Sequence, residues 1–186
     1  MTPSKPLRAD ARRNRARILA AAEEVFAERG ASASTEEVAA RAGVAIGTVF
    51  RHFPAKRDLL AAIMKELRRR LVDRAETLIA DGDPATAFFD YFTYLVESSA
   101  EIGTVVSLLA EEGTSIEPDD QIMALTQAFG RLLEAAQQAG TARPDARLDE
   151  VMALVTATTH GALAGSWTDD LRCRTLALVL DALRPR

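Results

Sequence analysis

The chain has 186 residues, 48% hydrophobic and 27% charged, a balance that excludes a disordered or fibrous protein. A lone cysteine (Cys173) and no apolar run near the ~18 residues of a bilayer span exclude a disulfide scaffold and a membrane-spanning chain. The net charge of −4 hides an asymmetry: residues 1–57 carry eleven Lys and Arg against six Asp and Glu, and residues 58–186 twelve against twenty-one. A small basic module on a larger acidic body is the footprint to test for nucleic acid.

Helix signals are dense and strand signals nearly absent. Residues 10–29 place Ile18, Ala22, Val25 and Phe26 on one face and stop at Gly30. In STEEVAARAG, Ser34 or Thr35 is the expected N-cap, with Glu36 and Glu37 in the first turn, where the helix dipole favours anions. Gly43 closes that helix after two turns. A third helix over about 45–53 ends at Phe53-Pro54, because the residue before proline avoids the helical region.

From Ala55 the pattern Leu59, Leu60, Ile63, Met64, Leu67, Leu71 runs as far as Asp81-Gly82-Asp83-Pro84. Further helices read as 84–100, 103–112, 118–139, 148–167 and 169–183. Their breaks are Gly103, the GTSIEP loop, Gly140 to Pro144 and Trp167-Thr168-Asp169. Pro118 suits a first helical position, followed by Asp119 and Asp120. The expected fold class is all-α with about nine helices.

Two short helices joined at a glycine are the parts of a helix-turn-helix. Ala39 stands where the two helices cross, Val38, Val44 and Val49 wedge between them, and Phe26 covers them from the first helix. STEEVAARAGVAIGTVFRHFPAKRDLL resembles the DNA-binding domain of the TetR family of bacterial transcriptional regulators. The resemblance divides the chain into a helix-turn-helix domain, 1–55, and a helical effector-binding and dimerisation domain, 56–186. It implies a dimer on a palindromic operator, most simply a repressor released by a small molecule.

The resemblance makes 45–53 the recognition helix, in the major groove with its first residues at base edges. Its implied DNA-binding set is Thr35, Ala45, Ile46, Gly47, Thr48, Phe50, Arg51, His52 and Lys56. Gly47 lets backbone approach DNA, Thr48 offers a hydroxyl, and His52 and Lys56 meet phosphate. Ile46 suits a thymine methyl. Phe50 and Ala45 depart from the family's usual tyrosine and serine, removing two hydroxyls and a possible N-cap. Val49 and Phe53 are expected to face inward. Arg12, Arg13, Arg15 and Arg17 are either a solvated face or an arm on the DNA backbone, and Arg68, Arg69 and Arg70 read as solvated or salt-bridged.

Five of the ten aromatic residues crowd into FFDYFTY, residues 88–94. They either fill the core or wall a pocket for an apolar or amphipathic small molecule. The candidate ligand residues are Phe88, Tyr91, Phe92, His160 and Trp167, with a core role for His160 as the alternative. Ala157, Gly161 and Gly165, one turn apart, and the stripe Leu176, Val179, Leu180, Leu183 suggest self-association of the last two helices.

Catalysis has little to work with. Neither histidine follows a glutamate by three residues, one cysteine and two histidines make no usual zinc site, and no phosphate-binding glycine pattern occurs. No catalytic residue, metal or cofactor is expected. The basic N-terminus lacks the apolar stretch of a secretory signal, so a cytoplasmic setting without a membrane partner is expected. A helical protein-interaction module that does not bind specific DNA is the alternative.

Overall fold

A computed structural model of the chain describes residues 5–114 and 120–186. Among them are nine α-helices and no strand: α1 Lys5–Arg29, α2 Thr35–Ala42, α3 Ile46–His52, α4 Lys56–Asp81, α5 Ala87–Glu97, α6 Ser99–Glu111, α7 Asp120–Gln138, α8 Leu148–Ala164 and α9 Asp169–Ala182. One 3-10 turn, Gly30–Ser32, joins α1 to α2. The expected helix start at Pro118 and Asp119, and most of the GTSIEP loop, lie outside the described residues.

The chain divides into two compact units, one of residues 1–66 with 104–116, the other of residues 67–103 with 117–186. In the first, Ile18, Ala22, Val25 and Phe26 of α1, Val38 and Ala39 of α2, Val49 of α3 and Leu59, Leu60 and Ile63 of α4 are buried. In the second, α5 packs on α7 and α8. Its core gathers Phe88, Tyr91 and Phe92 with Phe129, Leu132 and Leu133 of α7, Val151 and Val155 of α8, and Leu176 and Leu183 near the C-terminus. Burying each large apolar side chain contributes about 1.5–3 kcal/mol, so this cluster dominates the stability of its unit.

Two expected helix limits move for identifiable reasons. Gly103 does not break the chain. The turn between α5 and α6 falls at Ser98, and Gly103 lies inside α6. A Cβ on Gly103 would stand 2.7 Å from Cδ2 of Leu163, so this glycine admits a leucine from α8. Helix α8 ends at Ala164, before Trp167: the backbone turns out of the helix at Ser166, φ 45°, and the tryptophan folds back against Gly161 and Gly165.

Candidate nucleic-acid interface

Helix α2 begins with a reciprocal cap. The Glu37 amide donates to Ser34 Oγ at 3.2 Å and the Ser34 amide donates to the Glu37 carboxylate at 3.0 Å. Ser34 is therefore the cap, and Thr35 is the first helical residue, half-buried, its hydroxyl near the Glu36 carboxylate. The other end closes on Gly43 at φ 62°, a conformation glycine adopts without strain. The Gly43 amide reaches the Ala40 carbonyl and the Val44 amide the Ala39 carbonyl, the paired bonds of a Schellman turn.

The chain leaves that turn into α3, seven residues long. Ala45 stands at its N-cap and supplies no side-chain bond, as expected from the missing serine. Val49 and Phe53 turn inward and are buried. The outward side carries Ala45, Ile46, Gly47, Phe50 and Arg51, all exposed, with Thr48 and His52 half-buried beside them. Ile46 is 36% exposed and Phe50 44%. A Cβ on Gly47 would meet nothing within 4 Å. Glycine inside a helix costs about 1 kcal/mol against alanine, and nothing in this chain's packing requires it there.

Helix α4 starts beside this face. The Ala55 amide donates to the Asp58 carboxylate at 3.0 Å, satisfying one free donor of the helix start. Lys56, its first residue, reaches back to the Ala31 carbonyl at 3.2 Å and stands 5.5 Å above the Phe26 ring. The candidate residues thus fall on three helices: Thr35 and Lys56 at the starts of α2 and α4, and the others along α3 and at its N-cap.

The α1 arginines Arg12, Arg13, Arg15 and Arg17 are all exposed, and three of them also make contacts within the chain. Arg13 pairs with Asp10, Arg15 lies 5.1 Å above the Phe53 ring, and Arg17 donates to the Ala42 and Gly43 carbonyls. Capping by Arg17 was not legible in the sequence, since nothing in the spacing of residues 17 and 43 marks it. Arg41 of α2 is held by Glu28 at 2.7 Å and Glu24 at 3.2 Å, and the hydrogen bond from Arg41 draws the Glu28 carboxyl below its ordinary range. In the second unit, Arg69 pairs with Asp73 and Arg70 with Glu101, as expected for salt-bridged side chains.

The five candidate ligand residues separate into two places. Phe88, Tyr91 and Phe92 have no solvent exposure and surround Phe129, at ring-centroid distances of 5.3, 5.5 and 6.2 Å. Phe129 is absent from the expected set, although its spacing with Leu125, Leu132 and Leu133 is that of a buried helix face. Burial raises the Tyr91 phenol above its ordinary value. His160 is exposed and does not join this group, and Trp167 is half-buried at the end of α8. The residues read as a self-association surface are also redistributed. Leu176 and Leu183 enter the chain's own core, Val179 and Leu180 pack against it, and Trp167 lies against Gly161 and Gly165.

Among the described residues no three His, Cys, Asp or Glu side chains gather as a metal site, and no helix is long and apolar enough to cross a membrane.

A family model described as "Bacterial regulatory proteins, tetR family" matches residues 18–63, and one described as "Transcriptional regulator SbtR-like, C-terminal domain" matches residues 83–185. The crystal structure of a TetR transcription regulatory protein from Mycobacterium vanbaalenii is similar at TM-score 0.80 and 37% identity, covering 97% of this chain and 100% of that one. The HTH-type transcriptional repressor LfrR of Mycolicibacterium smegmatis is 33% identical over 72% of this chain and 68% of its own length. The HTH-type transcriptional regulator UidR of Escherichia coli is 27% identical over 89% of this chain and 87% of its own.

Proposed function

The chain belongs to the TetR family of bacterial transcriptional regulators, and on that premise we propose that it is a ligand-responsive repressor. It holds a palindromic DNA operator as a homodimer and lets go when a small molecule binds. The family and these relatives are regulators rather than enzymes, and no catalytic residue is assigned. Residues 1–55 together with Lys56 carry the DNA contacts, and the rest of 56–186 the effector and dimer contacts. Repression is the reading favoured by the name of LfrR.

The observation that carries the reading is the outward face of α3. It presents Ile46 and Phe50 to solvent beside Gly47, a glycine that this chain's own packing does not need. Such a face fits a partner whose backbone comes close, and the major groove admits an α-helix. Thr35, His52 and Lys56 anchor phosphates, while Ala45, Ile46, Gly47 and Thr48 lie along base edges, with Phe50 and Arg51 at their side.

The dimer forms through α8 and α9. Residues 151–168 contain no Asp, Glu, Lys or Arg, and Ala153, Ala157, His160, Leu163 and Ala164 are exposed along α8, with Leu171 and Leu178 exposed on α9. An uncharged face of that length favours burial against a second copy.

The effector is an apolar or amphipathic small molecule that enters between α5, α7 and α8. Phe88, Tyr91, Phe92 and Phe129 pack fully without it, so it must part these rings and favour the arrangement in which the two DNA-binding modules are wrongly spaced. Helix α4 accepts the Tyr91 hydrogen bond at the Leu71 carbonyl, so movement of the rings is felt at that point of the helix.

Selection from a random pool of DNA duplexes tests the proposal. Enrichment of a palindrome is expected, and a pool that stays random through repeated rounds overturns it.

A further inference from the structure

Helix α3 is poorly anchored by its own sequence. Seven residues are far fewer than the ~12–15 an isolated helix needs for marginal stability, and its N-cap, Ala45, offers no side-chain oxygen. Its direction is set by the turn that precedes it. The Schellman bonds of that turn satisfy the Ala39 and Ala40 carbonyls, and the Ala42 and Gly43 carbonyls follow at its end.

Arg17 of α1 takes both. Its Nη2 group donates to the Ala42 carbonyl at 2.5 Å and to the Gly43 carbonyl at 3.1 Å, using both of its hydrogens. Bonds from a cation are roughly twice as strong as neutral ones, and positive charge is favoured at a helix C-terminus. The fit is close: a Cβ on Gly43 would stand 3.0 Å from the same nitrogen. At the far end of α3, Arg15 covers the Phe53 ring. Helix α1 therefore holds the turn that precedes the recognition helix and the residue that ends it.

We propose that Arg17 is a positioning residue for sequence reading, fixing the angle at which α3 leaves the turn without itself touching DNA. The proposal rests on the DNA-binding reading above. Its consequence is specific: base-edge contacts depend on the orientation of α3, whereas the phosphate contacts of Thr35 and Lys56, which lie on α2 and α4, do not.

The test compares Arg17→Ala with wild type on two duplexes, one selected by the wild-type protein and one shuffled to the same length and composition, at several salt concentrations. Arg17→Ala is expected to lose about tenfold on the selected duplex, the size of one charge-assisted bond, with the shuffled duplex and the salt slope unchanged. A second arm uses Ala45→Ser, which supplies the missing N-cap. In that background the loss should shrink to about threefold, because the helix start regains an anchor of its own.

Equal losses on both duplexes with a salt slope reduced by about one identify Arg17 as a phosphate contact and overturn the proposal. Additive effects of Arg17→Ala and Ala45→Ser also overturn it. Should Arg17→Ala lose its helical signal at 25 °C, Arg17→Gln, which keeps an amide donor, decides the same comparison. A wild-type protein that selects no duplex sinks the DNA-binding reading instead.

Discussion

Tyr91, with no solvent exposure, donates its hydroxyl to the Leu71 carbonyl at 3.1 Å, joining α5 to α4 inside the aromatic core. Desolvation raises the phenol above its ordinary value, with nearby Tyr94 adding to the effect. The unfolded chain therefore ionises first, near pH 10. The stability this group contributes is intact below that pH and is lost as pH rises further. Tyr91→Phe is expected to cost about 1 kcal/mol at neutral pH and to flatten the alkaline decline. Urea midpoints at pH 8 and pH 10.5 check this, and a parallel decline in the variant rules out the buried phenol as its cause.

At low pH the relevant pair is Arg143 and Asp145, in the connection between α7 and α8. The guanidinium meets the carboxylate through two nitrogens at 2.7 and 2.6 Å, and this bonding lowers the Asp145 carboxyl to about 2. Its contribution is complete above the ordinary carboxylate range and disappears as pH falls toward 2. Asp145→Asn should therefore lose less stability than wild type between pH 5 and pH 2.5. Denaturation midpoints at the two values decide it, and an equal drop removes the pair from the acid response.

On DNA, Lys56 and Ile46 should fail differently. Lys56→Ala should weaken binding to every sequence and flatten the salt slope by about one unit. Ile46→Ala should lose about 1 kcal/mol at one base pair with no change in salt dependence, and less on a duplex carrying uracil for thymine. Titrations on both duplexes give the answer. A change of sequence preference in Lys56→Ala, or an equal Ile46→Ala loss with and without the methyl, breaks the division between the two residues.

For self-association, the burial pattern selects the residue to change. Leu178 is 74% exposed on α9, whereas Leu180 packs against the subunit core. Leu178→Glu should give a folded monomer that binds its operator weakly, and Leu180→Glu should lower the melting temperature as well. Sedimentation with thermal melts separates the two, and a Leu178→Glu protein that remains dimeric places the interface elsewhere.

Local chemistry made much of unit 1 legible. The Ser34 and Glu37 pair, the left-handed Gly43 and the Phe53-Pro54 break each act within a few residues, so the sequence marks them directly. Val49 and Phe53, which the family resemblance places inward, are buried. Contacts between distant residues were hidden. Gly103 looks like a helix stop until Leu163 is seen filling its place, and the leucines of α9 show helical spacing whichever partner they face. The α1 arginines were ambiguous for the same reason, since their partners Phe53, Ala42 and Gly43 are far along the chain.

The fold of Trp167 over Gly161 and Gly165 also equips the molecule for spectroscopy. It is the chain's single tryptophan, so selective excitation of indole samples one place, the end of α8, against no other emitter of its kind. A shift in emission wavelength or lifetime on adding a compound then reports rearrangement there without any label. Quenching by iodide measures how far the ring has lifted from its two glycines.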